Sequence, residues 1–247
     1  MRKAIGRTDK GKVRENNQDQ YAIIREDDAI FAIVCDGIGG HAGGKRASNF
    51  ITRYVKKHFV DHAPFLSAKD AIATIYQLLK DANSSLLAVA NKNAELQGMG
   101  TTLVGLYVSN DYKILVNVGD SRCYGFNDET LDLLSDDHSY VNELVKLGKI
   151  SKDQAEVHPY RNMLTNAFGI SETLFADIKE IDRPYANYML CSDGLHGYVQ
   201  EDEIFNELRS PNSKTNKIKS LIEKANSVGG FDNVTIVLVS DEGFADE

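Results

Sequence analysis

The sequence predicts an α+β fold: two stacked antiparallel β-sheets with helices on the outside. First, many short apolar runs follow one another closely, joined by turn signals such as SND at 109–111 and NDE at 127–129. Consecutive strands with short turns favour antiparallel pairing. Second, the helical stretches are grouped, which reads as α+β and not as a doubly wound parallel sheet. Third, the runs are too many for one flat sheet.

In chain order, strands are expected at 21–25 and 30–35, where YAII and FAIVC are continuous apolar runs. Two long helices at 44–59 and 68–92 lie together before the third strand. Strands resume at 102–109, 112–118 and 122–126. The polar segment 136–163 holds two short helices, 139–147 and 152–157. It reads equally well as an ordinary connection or as a small insertion flanking a site. Strands at 175–181 and 188–191, helices at 201–208 and 214–225, and a final strand at 234–240 complete the pattern.

The 247 residues are 42% hydrophobic, enough for a sizeable core, and no Ser/Gly/Pro-rich linker divides them. One domain over 1–241 is expected, with a short acidic tail at 242–247. The formal charge of −8 argues against a protein that coats nucleic acid and weakens a polybasic membrane reading. No apolar run approaches the roughly 18–20 residues of a membrane span. The charged N-terminus has no apolar stretch behind it, so no secretory signal is expected. Cys35, Cys123 and Cys191 are widely spaced, without a CxxC pair. They read as small buried hydrophobes, and the compartment as the cytosol.

One feature recurs. Apolar runs end abruptly in an acid beside glycine, at Asp36-Gly37, Gly119-Asp120 and Asp193-Gly194. Asp232 immediately precedes the run VTIVLV, and Asp19 precedes YAII. Any one of these is an ordinary turn residue. Five together, at strand ends that a sheet gathers in space, would repel unless a positive charge sat between them. Hard dications such as Mg²⁺ or Mn²⁺ take carboxylate and carbonyl oxygens. Two of them at roughly 3.5–4 Å activate a water for attack on phosphorus. A glycine after the acid would let the chain turn sharply and its carbonyl approach the metal. Arg14, five residues before Asp19, is placed to grip a phosphate with its planar fork, or is a solvated arginine beside Glu15. Residues 39–46, GGHAGGKR, nearly match a phosphate-binding loop of the GxxxxGK[ST] type. Arg46 stands where that motif needs a hydroxyl, and the antiparallel strand order disfavours it.

Six stretches occur in order: RENNQD (14–19), CDGIGGHAGG (35–44), GMGTT (98–102), GDSR (119–122), CSDG (191–194) and GGFDN (229–233). In these the chain resembles bacterial metal-dependent serine/threonine protein phosphatases of type 2C, the PPM family, over nearly its whole length. The resemblance implies an αββα sandwich, with 136–163 as a flap beside the active site. It implies that Asp36 bridges two Mn²⁺ or Mg²⁺ ions, that the carbonyl of Gly37 completes one shell, and that Asp193 and Asp232 ligate the first metal. Asp19 would hold a metal-bound water or ligate the second metal. Asp120, with Asp193, would take a third ion. Arg14 would bind the substrate phosphate.

His41 is either a proton donor to the leaving oxygen or a residue that structures its loop. The implied reaction is attack of a metal-bridging hydroxide on phosphoserine or phosphothreonine of proteins, without a phosphoenzyme. A partner serine/threonine kinase, whose action the enzyme reverses, a monomeric state and the absence of nucleic-acid or membrane partners belong to the same expectation. The competing reading from another class is a catalytically silent phosphoprotein-binding module, disfavoured because all the acids are present.

Overall fold

The computed structural model describes residues 2–61, 63, 65–183 and 185–241, without the side chains of 40–42; the acidic tail at 242–247 lies outside the described residues. Strand β1 (Lys3–Asp9) comes first and was not anticipated. Only Ala4 of its seven residues is buried, so its apolar signal is weak. β2 (Gln20–Glu26) and β3 (Ala29–Cys35) form a hairpin. The chain continues through the short β4 (Gly37–Ile38) into helix α1 (Gly40–Phe59), then α2 (Ala68–Asn91). Ser67 caps α2 by accepting the Asp70 amide at 3.2 Å.

β5 (Gly100–Thr101) pairs back onto β4. β6 (Leu103–Val108), β7 (Lys113–Val118), β8 (Arg122–Phe126) and β9 (Leu131–Leu133) follow. The expected turns are present: the Ser109 amide donates to the Tyr112 carbonyl, and the Asn127 side chain accepts the amides of Glu129 and Thr130. Helices α3 (Tyr140–Lys146) and α4 (Lys152–Glu156) occupy the 136–163 segment. β10 (Asp177–Glu180), β11 (Asn187–Cys191), α5 (Asp193–His196), α6 (Glu201–Leu208), α7 (Lys214–Ser227) and β12 (Val234–Ser240) complete the described chain.

Two five-stranded sheets result, ordered β1-β12-β11-β8-β9 and β10-β7-β6-β3-β2. Every pair is antiparallel. Side chains alternate across a strand, and β3 shows the consequence. Ile30, Ala32 and Val34 pack between the sheets with Tyr188, Leu190 and Val237. Phe31, Ile33 and Cys35 face outward against Ile51, Val55 and Phe59 of α1 and Leu79 of α2. On the other side, Met189, Cys191, Ile236 and Leu238 pack against α6 and α7 through Ile204, Leu208 and Leu221. The order of layers is therefore helices, sheet, sheet, helices. Strands buried on both faces read as unbroken apolar runs, which is why these were visible in the sequence. All three cysteines are free and buried, as expected. No helix among the described residues is long and apolar enough to cross a membrane.

The largest boundary differences from expectation are at α1 and β10. α1 begins at Gly40 and not at 44, so most of the GGHAGGKR run is helical and forms no cradle loop. The strand expected at 175–181 is shorter, Asp177–Glu180.

Candidate active site

Strand direction gathers the acids. β3 and β7 both run antiparallel to β6, so their C-terminal ends, carrying Asp36 and Asp120, lie at one edge. Asp19 precedes β2 at the same edge, because β2 is antiparallel to β3. Asp193 follows β11, and Asp232 precedes its antiparallel neighbour β12. Asp36, Gly37, Asp120, Asp193, Asp232 and Arg14 line one cleft of about 510 Å³, with Asn162 and Leu164 on its 136–163 side. Asp19 lies beneath, fully buried. His41 is in the first turn of α1, and its side chain lies outside the described residues.

Each acid is held by backbone or hydroxyl partners. The Asp36 amide donates to Thr102 Oγ1 at 3.0 Å, and the Asp36 carbonyl accepts the Thr101 hydroxyl at 2.8 Å. Asp19 Oδ2 accepts the hydroxyls of Ser192 and Thr235, both at 2.7 Å. Behind Thr235, Thr8 Oγ1 lies at 2.7 Å and itself accepts Asn17 Nδ2 at 2.8 Å. Because Thr235 gives its proton to Asp19, that relay runs from Asn17 through Thr8. Asn233 accepts the Gln18 amide at 2.8 Å and donates to the carbonyls of Lys10 and Asn16. It thereby ties the RENNQD loop to β12. His196 donates Nε2–H to the Asp120 carbonyl at 3.0 Å; burial, then the charge of Arg122, pushes its pKa well below the usual value, so the ring is neutral. Arg122 pairs with Asp137 at 2.8 Å, joining the GDSR turn to the base of 136–163. Thr8, Ser192, Thr235, Asn233, His196 and Arg122 were not singled out from sequence. The last five lie in or beside the recognised motifs, the one signal that would have found them.

The role expected of the glycines is corrected. Gly37 does not turn the chain sharply: it continues into β4 and pairs with Thr101. Glycine is needed because a Cβ there would overlap the Gly44 carbonyl oxygen. Gly194 likewise lets α5 lie against the Asn233 carbonyl. A positive φ is found at Gly119, which swings the chain from β7 to Asp120.

The electrostatics of the cleft are one-sided. Burial, then neighbouring acids, pushes Asp36 well above the carboxylate range; Asp193, in side-chain contact with it, is also raised, by burial first. Asp120 is well above it too, through burial and the charge of Asp193. Asp19 is pushed up to about 7 by burial, against the lowering effect of Ser192 and Thr235. Asp232 is paired with Arg14 at 2.7 Å. Although burial opposes it, that contact raises the Arg14 pKa.

Among the described residues, no three His, Cys, Asp or Glu side chains already close into a ligand shell. The donor set nevertheless fits a hard dication. It is all oxygen, and Oδ1 of Asp19 and Oδ1 of Asp193 are buried without any hydrogen-bond partner. Unpartnered buried carboxylate oxygens are costly, and a cation between them removes that cost.

A double antiparallel sandwich between helix pairs, with acids on its strand ends and an arginine beside them, defines the class of metal-dependent protein phosphatases. Residues 9–232 match the family model described as Protein phosphatase 2C. The serine/threonine phosphatase stp of Listeria welshimeri is 36% identical over 235 residues, covering 94% of this chain and 93% of that protein. The protein phosphatase PhpP of Streptococcus pneumoniae is 30% identical, covering 94% and 95%. The crystal structure of the Staphylococcus aureus serine/threonine phosphatase superposes with a TM-score of 0.90 at 34% identity, covering 97% of this chain and 95% of that one. The chain belongs to the protein phosphatase 2C family, a family dependent on Mg²⁺ or Mn²⁺, and is an enzyme that dephosphorylates phosphoserine and phosphothreonine proteins.

Proposed function

We propose that the acid-lined cleft is the catalytic centre, and that 1–241 works as one catalytic domain with 136–163 as its flap. Asp36, the Gly37 carbonyl, Asp193 and Asp232 would hold Mn²⁺ or Mg²⁺ in the cleft, with Asp19 supporting a second ion, and Asp120 with Asp193 would take a third. Bound there, the dications supply Lewis-acid charge and bring the pKa of water toward neutrality. The observation that carries this reading is the convergence of five acids in which Asp19 Oδ1 and Asp193 Oδ1 lack any partner.

The chain's own residues do the rest. Arg14 is exposed and paired with Asp232, so its guanidinium can exchange that carboxylate for the substrate phosphate at the mouth of the cleft. Thr101 and Thr102 hold the Asp36 backbone at the strand end, so its carboxylate is presented to the cleft from a fixed position. Water attacks in line: a P–O bond forms to it as the ester P–O bond breaks, and no phosphoenzyme is made. The departing serine or threonine oxygen takes its proton from His41 or from water. The physiological setting is a monomer in the cytoplasm that reverses a serine/threonine kinase.

Release of phosphate from a phosphothreonine peptide with Mn²⁺ tests the reading. It should cease with EDTA and return with Mn²⁺. Full activity in EDTA would sink it. An Arg14→Ala variant should lose at least about tenfold in kcat/KM, carried mainly by KM, since a charged hydrogen bond contributes roughly 1.5–3 kcal/mol.

A further inference from the structure

A second, larger groove of about 1700 Å³ lies between α1 and α2, and Asn16 lines both it and the catalytic cleft. Its wall is the exposed face of α1. Lys45, Arg46, Arg53 and Lys57 line it at helical spacing, with Lys92 opposite at the end of α2. All five are exposed, and none is ion-paired among the described residues. Glu95 is the acid among the lining residues. On a chain with formal charge −8, this face reverses the overall sign.

The floor is aromatic. Phe50 stacks on Tyr54 at 6.0 Å, and Tyr54 on His58 at 4.5 Å, along the same ridge. From Lys45 to Lys57 the helix rises about 18 Å at roughly 1.5 Å per residue. An extended peptide at about 3.3 Å per residue covers that length with five or six residues. The N-terminal end of α1 abuts the catalytic cleft, because it follows Asp36 and Gly37 directly. The basic ladder therefore leads outward from the place where a phosphorylated side chain enters.

We propose that this groove docks an acidic segment of the substrate protein, flanking the phosphorylated residue, and so selects phosphoserine and phosphothreonine sites next to Asp/Glu-rich sequence. The inference rests on the cleft being the catalytic centre. Opposite charges facing one another across a contact act mainly on encounter and partner choice. Five exposed basic side chains against one acid give the groove the charge that favours such a segment on a chain whose overall balance is acidic. Nucleic acid and anionic lipid carry the same charge over a far larger area and would also meet the rest of a chain whose formal charge is −8.

The test compares kcat/KM for two phosphothreonine peptides, one with neutral flanks and one with a run of Asp and Glu. Wild type is set against an Arg46→Gln/Arg53→Gln/Lys57→Gln variant. Hydrolysis of p-nitrophenyl phosphate, too small to reach the groove, is the control. Wild type should prefer the acidic peptide by about tenfold at low salt, as expected for several exposed pairs acting together. The variant should lose that preference with p-nitrophenyl phosphate hydrolysis unchanged. In anisotropy, a labelled acidic peptide without phosphate should bind wild type and not the variant.

Equal kcat/KM for the two peptides in wild type overturns the proposal. So does a preference that survives in the variant, or a variant that loses only oligonucleotide or phosphatidylglycerol-vesicle binding. Failure of wild type to hydrolyse any phosphate ester would instead remove the catalytic reading, and the anisotropy arm would still decide the groove.

Discussion

Asp36, Asp120, Asp193 and Asp232 ride on the ends of strands whose neighbouring residues are almost all buried, whereas 136–163 shows Tyr140, Leu147, Val157, Tyr160 and Met163 to solvent. Val141 is the buried residue of α3, and α4 has none. Polar ties hold this segment instead. His138 Nδ1 accepts the Gly119 amide at 3.1 Å, and its Nε2 donates to Asp177 at 3.0 Å. Asn142 reaches Asp136 Oδ1 at 2.8 Å. Local opening follows the density of apolar contacts. The acids therefore border densely buried strands, and 136–163 is the part with few buried apolar contacts. Chemistry needs fixed geometry, and admission of a protein substrate needs a yielding edge.

The largest effect expected from breaking this arrangement is on the acid rim. Asp36→Asn should lower phosphate release by at least about 10³-fold, equivalent to roughly 4 kcal/mol of barrier. The same change should raise the melting temperature of the chelated protein, because it removes a charge that its neighbours oppose. A variant that lost activity and stability together would make Asp36 a structural residue.

The core beneath the rim comes next. Phe31 is fully buried, its ring tilted against Phe59 with centroids 4.6 Å apart. Phe31→Ala should cost about 3–5 kcal/mol in urea unfolding. Tyr160→Ala in 136–163, exposed, should stay within about 0.5 kcal/mol.

Removing metal exposes the electrostatic side. Asp19 is raised to about 7 by burial, and Asp36 and Asp120 are well above the usual range. A carboxyl whose folded pKa is raised contributes stability below its ordinary pKa of about 3.9, and that stability is lost as pH rises through the folded value. In EDTA the folding stability, read by urea or thermal unfolding, should therefore fall as the pH rises from about 4 to about 7, by an amount on the order of a few kcal/mol. Saturating Mn²⁺ should flatten the slope. A chelated protein with no such slope would mean that the acids do not oppose one another.

A smaller effect than the core's is expected where Asp177 of β10 meets the base of 136–163. Asp177→Asn should loosen His138 and speed hydrogen exchange of the Gly119 amide, with a stability cost of about 1 kcal/mol. Unchanged exchange would show that Asp177 does not steady the base of 136–163.

What could be read in advance follows from how far each signal reaches along the chain. The runs FAIVC and VTIVLV announced strands buried on both faces, and the acids bordering them announced the cleft. β1 stayed hidden because six of its seven residues are not buried, so its pairing with β12 rather than its own composition makes it a strand. Thr8 joins the Asp19 network only through that pairing, and its hydroxyl has no local signature.

The sequence by itself determined the layered class of the fold and the positions of the acids, because apolar periodicity and turn chemistry act over a few residues. Tertiary structure alone decided that Asn233 ties down the loop before β2, that His196 steadies Asp120, and that Gly37 serves close packing and not a turn. Those contacts join residues from seven to more than two hundred positions apart. They arise only when the burial of two sheets against each other brings the strand ends to one edge.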